Sequence, residues 1–89
     1  MKYYRTSYAA IQLDAETFLV HCCEDRTGIS RVYTLRGTDV YVSSYDVWQA
    51  AERQIVNYTA FKALPSQGRA ALRGVFQDEL DRYSNPQLL

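Results

Sequence analysis

The residues with the richest chemistry stand together at His21-Cys22-Cys23-Glu24-Asp25. On an extended strand successive side chains point to opposite faces, so His21, Cys23 and Asp25 share one face. These three could converge on a zinc ion, but a structural zinc site takes four ligands, usually from two paired knuckles. The chain has one histidine and two cysteines, and no second ligand pair. The cluster therefore reads as small apolar cysteines beside an ordinary sheet histidine, with no metal and no cofactor expected. It reads no better as a nucleophile with its base. His21 points away from Cys22, and two residues of strand are expected to hold the Cys23 sulfur beyond direct hydrogen-bonding reach of the imidazole.

Other reactive patterns fare the same way. Asp14, Glu16, Glu24 and Asp25 sit in expected turns, and Asp78, Glu79 and Asp81 late in the second helix, where carboxylates read as solvated. Ser7, Ser30, Ser43 and Ser44 lack the strand–turn–helix setting of a nucleophile elbow. Gly28, Gly37, Gly68 and Gly74 never cluster into a phosphate loop. The sequence therefore points away from an enzyme.

The elements that must position these residues follow from periodicity. Residues 2–13 are rich in tyrosine and small apolar residues and end at an Asp14-Ala15 turn. Over 16–24, Phe18, Val20 and Cys22 alternate with Leu19, His21 and Cys23. Glu24 to Gly28 is a hairpin loop. Ile29, Tyr33 and Leu35 then oppose Val32 and Thr34, Gly37 breaks the run, and 38–43 alternate through Val40 and Val42. Such short connections predict an antiparallel four-stranded meander.

The period changes at Ser43, which has capping-box spacing to Asp46. Val47, Ala51, Ile55 and Tyr58, flanked by Trp48, predict a first helix of about four turns. Its second half, Gln54 through Phe61, carries no charge, as expected of a central helix clamped between the sheet and the second helix, with homodimer contact to a second copy as the alternative. Pro65 suits the first turn of a second helix. Leu72, Val75, Phe76, Leu80 and Tyr83 line that helix, Asp78 and Arg82 have supporting spacing, and Asn85-Pro86 ends it. The expected architecture is a single α+β domain over residues 1–89, ββββαα, with both helices on one sheet face. Phe18, Val20, Val40 and Val42 should face the helices. Leu19, His21, Cys23, Val32, Thr34 and Tyr41 would then form an uncovered face, a candidate contact surface.

Composition narrows the partners. Ten basic residues balance ten acidic ones among 89. A nucleic-acid binder usually needs a positive surplus to displace counterions. The basic set is eight arginines and two lysines, alongside eight tyrosines. That mixture is similar to protein–protein interfaces, which favour tyrosine and arginine over lysine. Met1-Lys2-Tyr3-Tyr4 has no apolar signal core, and no stretch is long enough to cross a bilayer. Adjacent cysteines make no useful disulfide, and the Asn57-Tyr58-Thr59 sequon carries no weight without a secretion signal. A cytoplasmic protein is expected.

The leading expectation is a small non-catalytic protein-binding domain, an inhibitor or adaptor that docks onto a larger protein or complex. Its candidate contacts are Arg31, Tyr33, Arg36 and Tyr41 on the strands and Arg69 and Arg73 on the second helix. In size and lack of motifs the chain resembles phage and mobile-element proteins that block host machinery, anti-CRISPR proteins among them. The competing expectation is a sheet-reading DNA-binding module. A meander followed by a helix is similar in topology to AP2-type domains and the arm-binding domains of phage integrases. Arg31, Tyr33, Arg36 and Tyr41 would then enter a groove, with Arg5 or Arg26 on phosphate.

Overall fold

The computed structural model describes residues 4–54 and 58–84. Four strands follow in chain order: β1 (Thr6–Gln12), β2 (Thr17–Glu24), β3 (Ser30–Arg36) and β4 (Asp39–Ser43). They pair antiparallel in the order β1-β2-β3-β4, the expected meander. Helix α1 (Tyr45–Glu52), a short 3-10 turn (Phe61–Ala63) and helix α2 (Ser66–Ser84) complete the ββββαα chain.

Turn chemistry sets the register. Gly37 has φ +63° and Thr38 does not enter the positive region, so the two-residue β3–β4 loop is a type II′ turn. Gly28, at φ +74°, closes the β2–β3 loop. There the buried Glu24 carboxylate accepts from the Arg5 and Thr27 amides and the Thr27 hydroxyl, each at 2.8 Å. Burial pushes this carboxyl up, but those donors outweigh it and hold the group down at about 2.

The helices lie on opposite faces of the sheet, not on one as expected from the sequence. Leu72, Phe76 and Leu80 of α2 pack on Phe18, Val20, Cys22, Tyr33 and Leu35. Trp48 of α1 packs on Ile11, Leu19 and Val32 on the reverse side. The reason lies in β2, where the consecutive residues Phe18, Leu19 and Val20 are all buried. A strand apolar on both faces needs cover on both. The face expected to be open is therefore largely roofed, with Leu19 and Val32 in a core of their own. On the α2 side Val40 packs against the core, whereas Val42 is 79% exposed.

Helix α1 also differs from its expected form. Ser44, not Ser43, is the N-cap, and its hydroxyl accepts from the Val47 amide at 3.2 Å. The buried anchor is Trp48, while Val47 faces solvent. The helix ends at Glu52 after eight residues, and the Gln54 amide reaches back to the Ala51 carbonyl in a tightened final turn. Beyond it, Thr59 bridges to Ala10, its amide donating to the Ala10 carbonyl at 2.9 Å, so this part of the chain lies along the outer edge of β1. Ile55 of the expected helical stripe, Asn57 of the sequon, the N-terminal residues 1–3 and the Asn85-Pro86 stop lie outside the described residues.

On α2, Arg82 pairs with Glu79 at 3.0 Å, one turn away, in place of the expected Asp78 pairing. Tyr83 and Val75 remain exposed at the margin of its apolar stripe. Gly68 lies where α2 crosses the β3–β4 turn. A Cβ there would stand 2.7 Å from the Gly37 carbonyl oxygen, so only glycine allows this approach.

Candidate protein-binding surface

The register separates the candidate strand residues. Arg31 and Tyr33 belong to the α2 side, whereas Arg36 and Tyr41 belong to the α1 side. The four cannot enter one groove together. Tyr33 is a correction to the expected contact set: it is fully buried, with its ring edge-on to Phe76 at 6.3 Å. Its hydroxyl has no hydrogen-bond partner among the described residues, and burial pushes it up to about 12.

Three of the arginines are engaged within the fold. Arg31 pairs with Glu79 at 3.0 Å and lies 5.2 Å from the Tyr83 ring centroid. Arg69 donates to the Leu64 carbonyl at 3.0 Å. Arg73 lies over Tyr8 and Phe61, whose rings stack at 4.1 Å. These contacts tie α2 and the 3-10 turn to the sheet. Arg36 is exposed and pairs with the exposed Glu16 at 3.1 Å, a contact of small energetic weight. That pair borders a groove of about 440 Å³ floored by Phe18 and Leu35, with neither a histidine nor a thiol in its lining.

The α1 side carries a partly exposed aromatic cluster. His21 lies 5.4 Å from both the Tyr45 and Trp48 rings, and Trp48 stacks on Tyr58 at 6.1 Å. The Tyr58 hydroxyl donates to the Glu52 carboxylate, which fixes that ring against the end of α1. Tyr41, Tyr45, Val47 and Tyr58 are between 49% and 55% exposed. Of these, Tyr41 was expected from the sequence. Tyr45, Val47 and Tyr58 were missed because helical periodicity assigned Val47 and Tyr58 to the buried stripe.

The histidine–cysteine geometry also corrects the sequence expectation. Cys23 Sγ is 3.6 Å from His21 Nε2, within reach of a sulfur hydrogen bond. Burial pushes the Cys23 thiol up, with the Asp25 carboxylate adding to it, and burial pulls the His21 imidazole down. The pair thus rests as thiol and neutral imidazole, without an activated thiolate. Among the described residues no three of histidine, cysteine, aspartate and glutamate converge as metal ligands. No described helix is long and apolar enough to cross a membrane.

No protein family, curated protein or solved structure matches the chain.

Proposed function

We propose that this chain is a small non-catalytic protein-binding domain, of the inhibitor or adaptor kind, which docks its α1 side onto a larger protein. One observation carries this reading: Tyr41, Tyr45, Val47 and Tyr58 are all about half-exposed, with Tyr58 stacked on the buried Trp48 and Tyr45 set against His21 beside it. Tyrosine gives a large contact area with little conformational entropy to lose, and Trp48 and Glu52 already order the Tyr58 ring. The chain's zero formal net charge suits a protein surface better than a phosphate backbone. The sheet-reading DNA alternative is weakened, because its four strand residues are split between two faces.

The test is affinity capture from cells of the source organism with mass spectrometry, comparing the natural chain with a Tyr45→Ser/Val47→Ser variant. A protein retained by the first and lost from the second, at unchanged thermal midpoint, is the expected result. A salt-sensitive shift of generic DNA would move the assignment to nucleic acid. Turnover of a small molecule that disappears with Cys23→Ser would end the non-catalytic reading.

A further inference from the structure

The two edges of the sheet are not equivalent. The β1 edge is occupied at its centre, where Thr59 bonds to Ala10 and the stacked Tyr8–Phe61 pair holds the following 3-10 turn against it. The β4 edge has no hydrogen-bonded neighbour among the described residues. It also lacks the usual guards of an edge strand. Its sequence, Asp39-Val40-Tyr41-Val42-Ser43, holds no lysine, proline or glycine, and its single charge stands at one end.

The hydrogen-bond phase of the meander fixes which groups that edge displays. The Glu24 amide bonds the Ile29 carbonyl, so Arg31, Tyr33 and Leu35 turn their amides and carbonyls towards β2. Val32, Thr34 and Arg36 then serve β4, opposite Ser43, Tyr41 and Asp39. The amides and carbonyls of Val40 and Val42 are left pointing outward.

We infer that the β4 edge pairs antiparallel with β4 of a second copy of this chain, across a two-fold axis at Tyr41. In that register Val40 exchanges amide–carbonyl hydrogen bonds with Val42 of the second copy, and Val42 with its Val40. These are the outward-facing positions on both strands, so the hydrogen-bond phase matches itself. Asp39 falls opposite Ser43, so no like charges meet, and the Tyr41 rings lie side by side on the α1 face. A second copy therefore fits this edge with its hydrogen-bond phase matched and no like charges opposed. Closure follows from the other edge: with Thr59 on β1, pairing stops at two chains and yields one continuous sheet instead of a fibre. The assembly would bring the Tyr41 residues of both chains together beside the two α1 surfaces, doubling the proposed docking face.

Light scattering over a concentration series, combined with amide hydrogen exchange, tests this without any partner protein. The expected mass at high concentration is twice the 10.3 kDa of the chain, with the Val40 and Val42 amides protected in the dimer and exchanging freely in the monomer. Val42→Pro removes an outward amide that β3 does not use, and should weaken the dimer about a hundredfold while the two-dimensional NMR spectrum stays folded. Should that variant fail to fold, Tyr41→Lys decides, by setting two ammonium groups opposite each other at the axis and leaving the β3 ladder intact. A natural chain that stays monomeric at every concentration overturns the inference. So does a dimer that leaves the Val40 and Val42 amides unprotected, or one that persists in whichever variant folds.

Discussion

The two faces of the sheet are held in different ways. On one, the nineteen residues of α2 place Leu72, Phe76 and Leu80 at successive turns against Phe18, Val20, Tyr33 and Leu35, and Arg31–Glu79 and Tyr4–Asp81 contacts flank them. On the other, the eight residues of α1 bury Trp48 alone against Ile11, Leu19 and Val32. A long helix distributes its hold over several side chains, whereas a short one concentrates it in one anchor. The consequence is a firm side that carries stability and a lightly fastened side whose remaining apolar residues face outward.

The sharpest way to break this comparison is to delete one anchor from each face. Phe76→Ala should cost about 4 kcal/mol and lower the urea midpoint of the whole chain, because every strand shares that core. Trp48→Ala should cost about 3 kcal/mol, less than the value for Phe76→Ala, and act locally. Hydrogen exchange should show α1 amides losing protection while β2 and β3 amides keep theirs. Equal global losses for both variants would merge the two faces into one cooperative unit.

A smaller effect of opposite sign is expected inside the firm face. Tyr33→Phe removes a buried hydroxyl that has no partner among the described residues, and should stabilise the chain by up to about 1 kcal/mol in thermal denaturation. A loss instead would mean that an ordered water or one of the remaining residues satisfies that hydroxyl.

The faces should also part company in acid. Burial lowers the His21 value, so the unfolded chain takes up a proton more readily than the folded one. Stability on the α1 side should therefore fall as pH drops from the ordinary histidine value, about 6.5, towards the folded-state value. The chain's single tryptophan, Trp48, beside His21, reports this by fluorescence, and His21→Gln should abolish the step. Glu24 behaves differently. Its contribution is complete above the unfolded carboxylate value, about 4.3, and is lost as pH falls towards 2. Circular dichroism of the sheet should follow that second, more acidic transition, and Glu24→Gln should flatten it.

Much of this architecture was legible from alternation. The phase of Phe18, Val20 and Cys22 against Leu19, His21 and Cys23 gave the correct two sides of β2, and the spacing of Leu72, Phe76 and Leu80 gave the buried stripe of α2. The opposite placement of the helices was not read, although the unbroken apolar run Phe18-Leu19-Val20 contains the signal that both faces need cover. The end of α1 was hidden for another reason. Residues after Glu52 keep a helical spacing of apolar side chains, but Thr59 finds its hydrogen bond on β1, and no local pattern encodes so distant a partner. The aromatic surface was partly legible: Tyr41 follows from strand alternation, whereas the exposure of Tyr45, Val47 and Tyr58 depends on where α1 begins and stops.

The adjacency of the two cysteines has one more consequence. Cys22 is sealed beneath α2 with its thiol pushed far up by burial, while Cys23 opens towards the α1 side. Neighbours in sequence thus sample opposite layers of the molecule, each with a sulfur of its own. A thiol-alkylating reagent followed by peptide mass spectrometry would register the loosening of either layer separately, turning the adjacent pair into a built-in gauge of which side yields first.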